Sequence, residues 1–183
     1  MKNRELLAIA FFGLAFTACS SEVPMETEEK KISTVKVDDS LSPEEKFKFG
    51  MENRYNEVSY KELEVIISYI PSACNDGHAE ACFETGFLKD DVSEILKYWE
   101  KSCEGGFAKA CVAMADWKWN KRNVNSIDFP ELNEWYIQTL NKACGFQSAK
   151  ACAQLSSHLQ YDDKNRSNEL LKIACDLDAK YCR

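Results

Sequence analysis

The sequence predicts an all-α protein made of stacked helix pairs that disulfides staple together. Three observations carry this. An Ala-x-x-Cys segment recurs behind a partner cysteine: Cys74 with Ala79–Cys82, Cys103 with Ala108–Cys111, Cys144 with Ala149–Cys152 and, one residue shorter, Cys175 with Ala179–Cys182. Apolar residues recur at helical spacing, as in Phe47, Met51 and Tyr55, then in Leu63, Ile66, Ile67 and Ile70. Helix start and stop signals bracket these runs.

Folded structure is expected from Ser42-Pro43-Glu44-Glu45. Ser42 can accept from the amide of Glu45, Glu45 can reach back, and Pro43 suits the first helical position. Ser59 and Glu62 repeat the signal and open a second helix, in which Pro71 bends or tightens the last turn. Gly77 and Gly106 supply left-handed residues that end helices. New helices then start near Ala79, Ala108 and Ala149. Asp90-Asp91 makes a tight turn. Residues 120–129 form a polar insertion, closed by Asp128-Phe129-Pro130-Glu131 as a further start. Counting four back from the first cysteine of each pair gives Ile70, Trp99, Leu140 and Leu171. The residue just before that cysteine is always small: Ala73, Ser102, Ala143 or Ala174. The units run roughly 42–77, 78–106, 107–147 and 148–183. After Cys182 one residue remains, so the last cysteine is expected to pin the end in place of a capping helix.

The chain has 183 residues, 45% of them hydrophobic, enough for one core and a tail. Its formal net charge of −7 argues against nucleic acid, which needs a basic surface. It argues equally against docking of the folded part on anionic lipid. Two histidines, His78 and His158, limit acid–base and metal chemistry. No cofactor and no metal site is expected.

Residues 1–18 read as a signal peptide, with Lys2 and Arg4 ahead of an apolar run from Leu6 to Ala18 that is short for a membrane span. The run ends in Phe16-Thr17-Ala18-Cys19-Ser20, which resembles a bacterial lipobox, although that pattern prefers Leu where Phe16 stands. The resemblance implies a lipid on Cys19. Ser20, by resemblance to enterobacterial lipoproteins, implies a periplasmic protein held at the outer membrane. Residues 19–41, rich in Glu, Lys, Ser and Thr, read as a flexible tether before a repeat domain over 42–183. Within the tether, Ser33-Thr34-Val35-Lys36 spells the Ser-x-x-Lys of penicillin-recognising enzymes. Its partner motifs Ser-Asp-Asn and Lys-Thr-Gly are missing, so it is read as chance.

Nine cysteines, eight of them in short-range pairs, suit an oxidising compartment. The expected bridges are Cys74–Cys82, Cys103–Cys111, Cys144–Cys152 and Cys175–Cys182. A helix end and the next helix start then lie within the roughly 4.4–6.8 Å between Cα atoms that a bridge needs. Eight cysteines permit about 105 connectivities, and only the repetition selects this one. Zinc is the rival reading, but seven intervening residues make a poor knuckle.

The run Tyr98-Trp99-Glu100-Lys101-Ser102-Cys103-Glu104-Gly105-Gly106-Phe107-Ala108-Lys109-Ala110-Cys111 resembles a Sel1-like repeat, a relative of the tetratricopeptide repeat. The paired cysteines resemble the cysteine-rich, Hcp-type branch of that family. The resemblance covers about residues 42–183 and implies a right-handed α/α solenoid of about four helix pairs. The family's Leu-Gly after the second cysteine is replaced by Thr85-Gly86, Met114-Ala115 and Leu155-Ser156.

Similar proteins act as adaptors, so the partner implied is another protein or a peptide. The candidate contacts are Trp117, Trp119 and Tyr136. The two tryptophans lie two apart on one helix and point about 200° apart. One is therefore expected in the core, the other exposed as an anchor. Trp99 and Trp135 are expected in the core. Glu84, Asp116 and His158 are read as a solvated helix face. The alternatives are a weak β-lactamase or penicillin-binding protein of the cysteine-rich branch, with no catalytic residue that can be mapped, and an immunity protein or inhibitor.

Overall fold

A computed structural model describes residues 37–182. The expected signal peptide, Cys19, the Ser33–Lys36 motif and most of the tether lie outside the described residues. Eight α-helices follow in order: α1 Pro43–Asn53, α2 Tyr60–Asn75, α3 Ala79–Phe87, α4 Val92–Glu104, α5 Ala108–Asn120, α6 Phe129–Gly145, α7 Ala149–Leu159 and α8 Lys164–Leu177. A single 3₁₀ turn, Ala179–Tyr181, ends the described chain, and no strand occurs among the described residues. Each helix packs on the next in sequence, giving four pairs: α1/α2, α3/α4, α5/α6 and α7/α8.

The local chemistry explains the boundaries. Ser42 and Glu45 form the reciprocal cap of α1, with the Ser42 N–H donating to Glu45 Oε2 at 2.9 Å and the Glu45 N–H donating to Ser42 Oγ at 3.3 Å. Ser59 and Glu62 do the same for α2. That helix continues through Pro71 to Asn75. Asp91 caps α4, accepting from the amides of Ser93 at 2.8 Å and Glu94 at 3.1 Å. Helix α6 starts at Phe129 as expected, but the Asp128 side chain makes no cap bond.

The turns between pairs are built alike. The carbonyl of the small residue before the first cysteine accepts from the residue just ahead of the next helix. These bonds are His78 N–H to Ala73 O at 3.0 Å, Phe107 to Ser102 at 3.1 Å and Ser148 to Ala143 at 3.2 Å. Each such turn needs one left-handed residue. Gly77 (φ 97°) and Gly106 (φ 94°) supply it in the first two, and Gln147 (φ 61°) does so in the third.

All four expected bridges are present, with Cα–Cα distances of 4.5, 4.8, 4.8 and 4.6 Å in chain order. Three join a helix end to the next helix start. The fourth holds the 3₁₀ turn against α8.

Small residues set how closely the helices approach. Ala73, Ala81, Ala110, Ala143 and Ala151 are fully buried. Ser102 Oγ donates to Ala79 O at 2.6 Å, tying α4 to α3. Gly86 lies against Trp99, where an added Cβ would fall 2.6 Å from Nε1. Of the four residues in register, Ile70, Trp99 and Leu140 are buried and Leu171 is half-buried. Among the described residues no further helix pair covers Leu171, and Leu170 and Ala174 carry the buried face of α8 instead.

Residues 38 and 39, assigned to the tether, touch the first pair. The Asp38 N–H donates to Tyr69 Oη at 3.0 Å. Buried Lys46 lies 2.7 Å from Asp76 Oδ2 and 3.7 Å from Asp39 Oδ1. The hydrogen bond to Asp76 holds the Lys46 ammonium above the usual lysine range.

Successive antiparallel helices give the stack two edges. The disulfide-closed turns line one. The connections within pairs, 54–59, 88–91, 121–128 and 160–163, line the other. Most of the exposed large apolar side chains sit on this second edge. Tyr55, Val58 and Tyr60 flank the first connection, and Phe87, Leu88 and Val92 the second. Val124 and Ile127 lie in the third, and Tyr161 in the fourth.

Candidate functional site

A trough runs along α7, walled by α6 on one side and by the 3₁₀ turn after α8 on the other. One cavity of about 490 Å³ is lined by Tyr136, Lys150, Gln154, Ser157, His158 and Tyr181. A second, about 320 Å³, shares Ala153, Ser157 and Tyr181 and continues between α7 and α8 past Lys164 and Asn168. Tyr181 is in both walls because the Cys175–Cys182 bridge folds the end of the chain back.

The floor is aromatic. The Trp119 ring stacks on Tyr136, centroids 4.4 Å apart and planes 24° from parallel. His158 meets the edge of both rings, at 4.9 Å from Trp119 and 5.0 Å from Tyr136. Phe129 extends the group at 5.9 Å, and the Arg122 guanidinium lies 4.4 Å over the indole of Trp119. Burial pushes the Tyr136 phenol above its ordinary pKa, helped by the charge of Asp116 and opposed by Arg122. Burial likewise pulls the His158 imidazole below its ordinary value, against the raising effect of Asp162. The ring is therefore neutral at neutral pH. With its proton on Nε2 it donates to Asn133 Oδ1 at 2.8 Å, which fixes its orientation.

One wall is polar. Asp116 on α5 accepts from Gln154 Nε2 at 2.8 Å and from Lys150 Nζ at 3.2 Å, both on α7. Gln154 Oε1 is buried and has no partner. A buried carbonyl oxygen without a donor is uncommon and costs about 1–3 kcal/mol while it stays so.

The expected contact residues fall as follows. Trp119 and Tyr136 come together at the floor, but Tyr136 is 6% exposed, so it is a buried platform and not a surface anchor. Trp117 and Trp119 do not divide into one core and one exposed residue. Both are half-buried against the same main core. Helix α5 has neighbours on two sides, α4 and α6, so opposite faces of it both meet packed side chains. Trp99 is buried as expected, and Trp135 is half-buried with Lys118 Nζ 4.1 Å over its ring. The solvated-face reading is also corrected. Glu84 is half-buried and pairs with Arg54 at 3.2 Å, linking the first and second pairs. Asp116 and His158 make the bonds given above. Gln154, Lys150 and Tyr181 were not singled out from the sequence. Lys150 and Gln154 follow the third repeat's cysteine turn at helical spacing, and Tyr181 precedes the last cysteine.

No known family profile and no curated protein sequence matches the chain. Among solved structures, the crystal structure of a Sel1 repeat protein from Oxalobacter formigenes is similar, with a TM-score of 0.61 at 18% identity. The match covers 76% of this chain and 60% of that one. The fold is that of a Sel1 repeat protein. Successive helix pairs here are joined by a disulfide across the turn between them, and the trough is built where the third and fourth pairs meet. At this identity the likeness speaks for the fold, and the chain spans 60% of the length of that Sel1 protein.

Proposed function

We propose that the chain is a protein-interaction scaffold of the cell envelope that holds a peptide segment in the trough along α7. The observation that carries this is the open cavity along α7, floored by Tyr136 and His158 and lined by Lys150, Gln154, Ser157 and Tyr181. An extended peptide supplies backbone polar groups for the Ser157 and Gln154 wall and a side chain to lay on Tyr136 and Tyr181. Lys150 is paired with Asp116 and Lys180 with Asp178, so Lys164 is the trough lysine with no ion pair among the described residues. Trp119 acts from beneath, holding the two floor rings in place.

The lipid on Cys19 belongs to the same reading and would keep the scaffold at the outer membrane, as a periplasmic protein of the Hcp-type cysteine-rich kind. Its support is the lipobox-like Phe16–Ser20 and the one cysteine left outside the four bridges. Metabolic labelling with a fatty-acid analogue tests it: Cys19→Ser must abolish the label.

The trough is tested with a photo-crosslinking residue at Ser157, which lines both cavities. Covalent capture of a protein segment is expected, and it should be lost in Gln154→Leu and Trp119→Ala variants that keep the wild-type circular dichroism. Equal capture from a control position at Lys109, outside the trough, would overturn the assignment.

A further inference from the structure

Apart from Arg122, the apolar edge opposite the disulfides has no role in the trough. Its residues lie in or beside the connections, and apart from Phe87, which also packs on Trp99, they stay largely in solvent. Tyr60 and Ile127 are each 92% exposed.

Charge decides between occupants. The second connection carries Lys89, Asp90 and Asp91, for a net negative charge, beside Phe87 and Leu88. The third carries Lys121, Arg122 and Asp128, for a net positive charge, beside Val124 and Ile127. These two are the central pair in the row of four. A two-fold axis passing between them would lay the second connection of one copy on the third of the other, twice over. Each contact then joins apolar tips flanked by opposite charges. An isologous interface demands this self-complementarity. A bilayer is less well served, because Asp90, Asp91, Asp162 and Asp163 would be carried down to the lipid. The four connections together hold about twenty residues, close to the roughly 20–30 a side of a standard interface.

We propose that this edge is a dimer interface, and that its partner is a second copy of the same chain in antiparallel register. The interface uses Phe87 and Leu88 of one copy against Val124 and Ile127 of the other, with Asp90 facing Lys121. It leaves the trough open on both copies.

The test is sedimentation velocity on the full chain carrying Cys19→Ser, so that neither a thiol nor a lipid can join two molecules. The wild-type edge should give a concentration-dependent dimer. Asp90→Lys alone and Lys121→Asp alone should each weaken it at least tenfold, and the two together should restore it to within about threefold. Ile127→Glu should give monomer with unchanged circular dichroism. A monomer at every concentration, or a dimer indifferent to all these changes, would overturn the proposal. So would failure of the double reversal to rescue, or Ile127-dependent binding to phosphatidylcholine vesicles in place of self-association.

Discussion

Adding one methyl group at Gly86 should destabilise the protein although it improves the intrinsic helix propensity. An alanine Cβ there would stand 2.6 Å from Trp99 Nε1, 2.7 Å from Trp99 Cδ1 and 3.4 Å from Ile95 O. The indole cannot swing aside, because Phe83 and Phe87 bracket it at centroid distances of 5.7 and 5.5 Å. Overpacking of this kind costs about 1–3 kcal/mol. Replacing a helical glycine by alanine contributes about 1 kcal/mol in the other direction. Two contacts below 3 Å put the overpacking in the upper half of that range, so a net loss of about 1–2 kcal/mol follows, or about 2–8 °C in Tm for a domain of this size. Gly145 is the control. It ends α6, and an added Cβ meets nothing within 4 Å, so Gly145→Ala should be neutral or stabilising by up to about 1 kcal/mol. Both are read by urea unfolding under non-reducing conditions, with m compared to exclude a change in cooperativity. A Gly86→Ala protein as stable as wild type would mean that α3 and α4 do not pack as closely as described.

Removing the bridge Cys103–Cys111 with paired alanines opens a nine-residue loop and should cost about 2.5 kcal/mol on the loop-entropy account, measurable by the same unfolding curves. Ser42→Ala should cost about 1 kcal/mol through loss of the α1 cap. The hydrogen bond from Ser42 also holds the Glu45 carboxyl below its ordinary pKa. That contribution is present above about pH 4 and is lost as pH falls through the lowered folded value, so acid midpoints of wild type and Ser42→Ala should converge. His158 should titrate, by NMR of its ring protons, below the ordinary value of about 6.5. Since the unfolded chain takes up that proton first, its contribution is complete above about pH 6.5 and is lost as pH falls through the folded value.

Much of the fold was legible because the repeat states each rule several times. Capping boxes at Ser42 and Ser59, helix starts at Ala79, Ala108 and Ala149, and left-handed Gly77 and Gly106 all follow from local chemistry. Gln147 was not legible. Nothing in its side chain asks for positive φ, and it takes the position because the Ala143–Ser148 bond and the Cys144–Cys152 bridge close the turn around it. The trough was read only in part. Trp119 and Tyr136 stand out by type, but helical projection treats α5 as a cylinder with one wet face, whereas it is flanked on both sides. Gln154 gains its meaning from Asp116, 38 positions away, and Tyr181 from a bridge that turns the chain end inward. These are long-range facts that no window of sequence contains.

The bridges link only cysteines seven or eight positions apart. A chain oxidised as it emerges from its amino end would therefore offer the second thiol of each pair its native partner as the nearest unspent one. Vectorial delivery then selects one isomer out of the many that refolding from a fully reduced ensemble would have to sort. Such a protein should mature with an oxidant alone and need no reshuffling catalyst.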